Sequence, residues 1–270
     1  MALKVVIAGA SGKMGRSLIE AVAAEGMVLH AALDAPGSAA IGQRLGQLGI
    51  DAGAEAAHVV VTDDVAKALR GADCLIDFTR PEATLAYLAQ CVQQKVAMVI
   101  GTTGFDKAGK DAIKAAASDI SVVFAPNMAI GVNATFKLAE MAAKILGDAY
   151  DVEIIEAHHR WKVDAPSGTA LKLGEVVANA LGRDLSKVAQ HGREGHTGVR
   201  DDKSIVFHAL RGGDIVGDHT VVFAGLGERV EVTVRSQSRM TYALGALRAA
   251  AFLANHGKGL YDMQDVLGLQ

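Results

Sequence analysis

Read along the chain, short apolar runs alternate with segments in which apolar residues recur every three to four positions. KVVIAG, MVLHAAL, HVVVT, CLIDF, VAMVIG and SVVFA predict short buried strands, and the stretches 14–24 and 83–93 between them predict helices. Continuous apolar strands separated by helices are the pattern of a parallel sheet covered on both faces. Past residue 127 the texture changes. A helix is expected over 133–146, and then DVEIIEAHH, SIVFHAL, HTVVFAG and ERVEVTVRS follow, several of which alternate apolar with polar residues. That alternation predicts an antiparallel sheet with one solvated or interfacial face. The tail, with MTYALGALRAAAFLANHG over 240–257, returns to helix and is apolar enough to need burial.

Composition narrows the classes. The chain has 270 residues, half of them hydrophobic, which suffices for one large domain or two ordinary ones. A formal net charge of -3 gives no basic field for nucleic acid, and the apolar runs are too short and interrupted to span a bilayer, so neither partner is expected. MALKVVIAGA leads straight into a glycine-rich turn and does not read as a signal peptide. Two cysteines, Cys74 and Cys91, form neither a disulfide framework nor a metal cluster, which suits a cytoplasmic protein without a bound metal.

The first chemical motif is GASGKMG, residues 9–15, which follows a strand and opens a helix. Glycines there let the backbone turn and approach a pyrophosphate, and the helix start supplies N–H donors, so Gly9, Ala10, Ser11, Gly12, Lys13 and Met14 are candidate cofactor contacts. Asp34, at the end of the second strand, is placed to accept bonds from the adenosine ribose hydroxyls. Its carboxylate would repel a 2′-phosphate and Ala35 adds no cation, so NADH is expected to be preferred, with NADPH as a second cofactor the site could accept. IGTTGF (Gly101, Thr102, Thr103) and FAPNMAIG (Ala125, Pro126, Asn127, Met128) fall at other strand ends, as does Arg80 in DFTRPE. Ligands of a doubly wound sheet lie outside those ends, so these loops are candidates for the nicotinamide and its ribose.

The densest cluster is EAHHRWKVDAPSGTA, residues 156–170. It starts on a strand, where His158 and His159 should face opposite ways and serve poorly as joint metal ligands. DAPSGTA then turns into an amphipathic helix, with Ser167, Gly168 and Thr169 at its positive end. With His159, Arg160 and Lys162 nearby, the segment is suited to carboxylate binding.

The same segment resembles the signature of the 4-hydroxy-tetrahydrodipicolinate reductase (dihydrodipicolinate reductase) family. The likeness extends over the whole chain through GASGKMG, DFTRPE, VIGTTGF, REGHTG, RGGDIVGDH and SRMTYALGA. Members often carry a basic residue where this chain has Ala35. The resemblance implies hydride transfer from a nicotinamide to a cyclic dicarboxylate, with loss of water. His158 matches the family's proton-transfer histidine and Lys162 its proton donor; His159, Ser167, Gly168 and Thr169 match its substrate carboxylate contacts. It also implies an α/β fold: a Rossmann-type dinucleotide-binding domain (1–127 and 238–270) and a central α+β substrate-binding and tetramerisation domain (128–237). Closure of the two parts would then bring cofactor and substrate together in a cytoplasmic homotetramer. Two competing readings are an aldehyde dehydrogenase using Cys91 as nucleophile and a non-catalytic, NAD-responsive regulator. The buried setting expected for Cys91 opposes the first and the histidine–lysine cluster the second.

Overall fold

The computed structural model describes residues 2–269. Its first six strands are β1 (Lys4–Ala8), β2 (Val28–Leu33), β3 (Val61–Thr62), β4 (Cys74–Asp77), β5 (Ala97–Ile100) and β6 (Ser121–Phe124). The helices among and just after them are α1 (Lys13–Ala24), α2 (Gly53–Ala56), α3 (Val65–Leu69), α4 (Pro81–Gln94), α5 (Lys107–Ala116) and α6 (Ile130–Leu146). Next come β7 (Asp151–His158), α7 (Gly168–Ala180), α8 (Leu185–Val188), β8 (Ala189–His191), β9 (Ile205–Arg211), β10 (Gly217–Ala224) and β11 (Arg229–Ser236). The chain closes with α9 (Met240–Leu253), β12 (Gly259–Tyr261) and α10 (Met263–Leu267). It divides into two compact units: one runs to Ile130 and resumes at Arg239, and the other is Gly131–Ser238.

The first unit is built on a parallel sheet of order β12-β6-β5-β4-β1-β2-β3. Its strands are apolar without alternation because both faces are covered. Val5, Ile7, Ile76, Val99 and Val123 pack on one side with α1 and α9, and Val6, Ala8, Leu75, Met98 and Ile100 pack on the other with α4 and α5. Leu18 on α1 and Leu247 on α9 are fully buried. A leucine so buried contributes roughly 1.5–3 kcal/mol. The doubly wound sheet expected from the apolar runs is therefore present, with two differences. HVVVT yields only the two-residue β3, and the tail read as helix also contains β12, an edge strand beside β6 too short to show a period.

The second unit carries a mixed sheet of order β11-β10-β7-β9-β8. β10 pairs antiparallel with β7 and β11, whereas β9 runs parallel to β7 and β8. The expectation of a wholly antiparallel sheet is corrected here. Alternation reports that one face is covered, but strand direction follows the connection, and the crossover through α7 returns the chain parallel to β7. α7 covers one face so closely that a Cβ at Gly174 would lie 2.4 Å from the Phe207 ring. Val152, Ile154, Glu156 and His158, alternate residues of β7, are all buried, in line with the period of two that places them on one face.

Candidate functional site

In the first unit, the candidate nucleotide residues gather at the carboxyl ends of the strands. Gly9 leaves β1 with a φ of +69°, and a Cβ at Gly15 would stand 2.1 Å from the Gly9 carbonyl oxygen. Glycine at 15 thus lets α1 start against β1, leaving the cradle a pyrophosphate needs. Gly12 caps α1 without any side-chain bond. The N–H groups of Ala10, Ser11 and Gly12 turn inward, donating to the Leu33 carbonyl (2.9 Å), the Asp34 carboxylate (3.1 Å) and the Gly9 carbonyl (3.0 Å). The donors left for an anion are those of the first turn of α1, at Lys13 and Met14. Each Asp34 oxygen accepts one backbone N–H, from Ser11 (3.1 Å) and from Ala35 (2.8 Å), and a carboxylate oxygen has room for one more donor. The chain therefore fits a dinucleotide.

Arg80 and Thr103 are exposed at the ends of β4 and β5, as is Pro126 after β6. A Cβ at Gly101 would meet the Phe78 ring at 2.2 Å. Ala125 and Met128 are buried, and Asn127 Oδ1 accepts from the Ala129 N–H (2.9 Å). Thr102 is also buried, and its hydroxyl donates to Asp77 (3.1 Å). Asp77 went unassigned in the sequence although it is a carboxylate inside an apolar run. It accepts from the Thr79 hydroxyl (2.6 Å), the Thr79 N–H (3.1 Å) and the Thr84 hydroxyl as well. Burial raises its pKa above the usual carboxylate value despite these threonine bonds, and the network ties the loops after β4 and β5 to the start of α4.

In the second unit the end of β7 and the segment that follows it form one connected cluster. Glu156, 1% exposed, lies at its centre. Its Oε2 accepts from His158 Nδ1 (2.6 Å) and from Arg211 (2.8 Å); its Oε1 accepts from Arg211 (2.7 Å) and from the Ser167 N–H (3.1 Å). Burial pushes the Glu156 carboxyl up, but the bonds from Arg211 and His158 outweigh it and hold the group below its ordinary value. Burial pulls the His158 imidazole down, and Glu156 opposes that only in part. His219 packs edge-on to His158, with ring centroids 5.1 Å apart, and shares a 2.9 Å hydrogen bond with the Ser167 hydroxyl. Burial and the neighbouring His158 lower His219 to about 4, so it is neutral at physiological pH.

Ser167 caps α7 by accepting from the Ala170 N–H (3.1 Å), with Gly168 exposed on the first turn beside Thr169. Lys162 donates to both oxygens of Asp164 (2.8 Å each). His159 follows the strand with its ring 5.9 Å from Trp161, which is 70% exposed. The Nδ1 atoms of His159 and His219 are buried without a hydrogen-bond partner among the described residues. Backbone bonds from Arg160 to Gly213 (3.2 Å) and from Gly212 to His158 (3.0 Å) fasten this loop to the turn after β9. The structure thus joins His158 and Ser167 through Glu156 and adds Arg211 and His219, which the sequence offered only as parts of RGGDIVGDH. Both thiols are buried, and burial pushes Cys91 up to about 12, so neither supplies a nucleophilic thiolate.

Comparison with known proteins matches residues 3–128 to "Dihydrodipicolinate reductase, N-terminus" and residues 131–267 to "Dihydrodipicolinate reductase, C-terminus". The chain is 63% identical to the 4-hydroxy-tetrahydrodipicolinate reductase of Cupriavidus pinatubonensis, over 99% of this chain and 100% of that protein. It is 61% identical to the protein of that name from Dechloromonas aromatica, over 100% and 99%. Among solved structures, a dipicolinate-bound dihydrodipicolinate reductase from Paenisporosarcina sp. TG-14 shares 27% identity and superposes with a TM-score of 0.77, over 98% of this chain and 99% of that one.

Proposed function

The chain belongs to the dihydrodipicolinate reductase family, and on that premise we propose that it reduces 4-hydroxy-tetrahydrodipicolinate to tetrahydrodipicolinate, a step of bacterial lysine and diaminopimelate biosynthesis. One dicarboxylate, one reduced nicotinamide and one proton give the reduced ring, the oxidised cofactor and water. The observation that carries the reading is the cluster at the end of β7 and just beyond it, where a titratable histidine, an ammonium and a helix N-terminus share one short segment. The nicotinamide cofactor, when bound, supplies the hydride. On this reading the unit that ends at Ile130 and resumes at Arg239 binds it. The first turn of α1 takes the pyrophosphate, Asp34 takes the ribose hydroxyls, and Arg80, Gly101, Thr103 and Asn127 line the nicotinamide side.

The unit Gly131–Ser238 holds the substrate. His158 and Lys162 move the proton, while His159 and the first turn of α7, at Gly168 and Thr169, take the carboxylates. The Ser167 hydroxyl is engaged with Ala170 and His219, so its part is to fix where that turn begins. Loss of NADH absorbance on adding freshly generated substrate tests the activity. NADH binding without turnover would instead favour the non-catalytic regulator.

The Asp34 carboxylate supports a preference for NADH, because a 2′-phosphate would meet a like charge that two backbone bonds hold in place. NADH is expected to give the higher kcat/KM, and Ala35→Arg to shift the ratio towards NADPH. A wild-type preference for NADPH of tenfold or more, about 1.4 kcal/mol at the transition state, would refute this use of Asp34.

A homotetramer built through the second unit's sheet is supported by apolar side chains left open on the strands, Ile155 at 38% and Leu210 at 56% exposure. Light scattering at micromolar concentration should report four chains, and a monomer would exclude the assembly. No described helix is long and apolar enough to cross a membrane. The two unpaired thiols support a cytoplasmic setting.

A further inference from the structure

We propose that Glu156 is a positioning residue that commits Nδ1 of His158, so that the proton is exchanged at Nε2, and that Gly217 keeps the approach to Nε2 open. This rests on the reading of His158 as the proton-transfer group.

The first support is the bond at Nδ1. A carboxylate can only accept, so the 2.6 Å contact with Glu156 Oε2 puts a hydrogen on Nδ1 in both protonation states. The nitrogen that gains and loses a proton is then Nε2. Glu156 is in turn held on three sides: Arg211 donates to both its oxygens, the Ser167 N–H donates to Oε1, and His158 completes the set. Arg211 also donates to the carbonyl of Asp164 (2.7 Å), the residue whose carboxylate grips Lys162. Through one buried carboxylate and one guanidinium, the strand end, the lysine loop and the start of α7 are fixed together. That is the pre-organisation a proton transfer needs, since a small misplacement of the donor costs rate.

The second support is independent and lies at the other nitrogen. A Cβ at Gly217 would fall 3.1 Å from His158 Nε2 and 3.4 Å from its Cδ2. The backbone at Gly217 is not in the left-handed region, so it does not require glycine there. The bare Cα at this position leaves room beside the one imidazole nitrogen that Glu156 does not occupy.

The charged and titratable groups facing the imidazole fix the expected pH behaviour. Glu156 on β7 favours its protonated form, while Arg211 on β9 and Lys162 in the loop disfavour it; His219 on β10 is neutral, and α7 contributes the uncharged Ser167. Glu156→Gln removes the one favouring charge. His158 then holds its proton less tightly, and the limb of the kcat/KM profile that it governs moves to lower pH. Turnover should fall roughly ten- to a hundredfold, part of the hundred- to ten-thousandfold that a positioned acid–base group contributes, with NADH affinity unchanged. Gly217→Ala crowds Nε2 without touching any charge. It should lower kcat with little movement of that limb.

Glu156→Gln, Gly217→Ala and His158→Ala are to be compared by pH-dependent steady-state kinetics and NADH titration, alongside NMR of the wild-type imidazole nitrogens, which reads the tautomer without any substitution. The expected result is a neutral His158 with its hydrogen on Nδ1, a limb displaced downward only in Glu156→Gln, and impaired turnover in Gly217→Ala. A hydrogen on Nε2 in the neutral wild-type ring would overturn the proposal even if Glu156→Gln does not fold. So would an undisplaced limb together with a fully active Gly217→Ala. Wild-type kcat in His158→Ala would instead sink the assignment of His158 itself.

Discussion

His158→Ala and Lys162→Ala should each lower kcat by roughly a hundredfold to ten-thousandfold, or about 2.7–5.5 kcal/mol of transition-state stabilisation, and leave NADH affinity intact. Both side chains lie in the second unit, whereas the candidate pyrophosphate cradle, the Asp34 carboxylate and the strand-end loops all lie in the first. Removing the imidazole at the end of β7 or the ammonium from the loop after it leaves the bonds between Ser11 and Asp34 and around Asp77 as they are. The two variants should differ in KM. Lys162 is held by both oxygens of Asp164, so its loss leaves an unpaired carboxylate facing an incoming dianion, and KM for the dicarboxylate should rise with the fall in kcat. His159→Ala and Thr169→Ala should chiefly raise KM. Steady-state kinetics with NADH titration decide the matter. Wild-type kcat in both His158→Ala and Lys162→Ala would remove these residues from the chemistry, and loss of NADH binding would relocate the segment.

Gly15→Ala is expected to damage the first unit as deeply. The added methyl would stand 2.1 Å from the Gly9 carbonyl oxygen and 2.8 Å from the Ala10 Cα, and both obstacles are backbone that cannot rotate away. α1 must lift from β1, and forced repacking of that kind costs about 1–3 kcal/mol or more. For a chain of this size each kcal/mol lowers Tm by roughly 2–4 °C. The same displacement moves the first turn of α1, so NADH affinity should fall by more than tenfold. Gly257→Ala, whose methyl would meet nothing within 4 Å, should melt with the wild type. Thermal melts and NADH titration of the two variants make the comparison, and a Gly15→Ala protein with unchanged Tm and Kd would refute the close approach.

Much of this architecture could be read from local patterns, and the failures share one physical cause. The strands of the first sheet stand out because burial on both faces leaves them no polar positions, and GASGKMG and DAPSGTA stand out because turn and cap chemistry is confined to a few consecutive residues. Glu156 and Asp77 do not stand out. Each is a carboxylate on a buried face, and what makes it tolerable lies elsewhere in the chain: Arg211, which the parallel register of β9 sets opposite His158, and Thr102 at the end of a neighbouring strand. Likewise, the alternation in DVEIIEAHH marks a covered face but carries no sign of strand direction, which the α7 crossover decides. Non-local pairing, in registry and in charge, was therefore the part that sequence reading missed.

The late return of the chain to its first sheet sets the order in which the protein can be made. α9 supplies Ala243, Ala246, Leu247, Ala250 and Leu253 to the core over Ile76, Val99 and Val123, and β12 lies against the outer edge of β6. A ribosome releases these pieces only after the whole second unit has emerged. Until then the nascent nucleotide-binding half carries an uncovered apolar face and an open strand edge, which are the features that recruit chaperones and promote aggregation. The inserted unit, by contrast, has all five of its strands before the tail is translated. During synthesis, the half that begins first is the half that can be completed last.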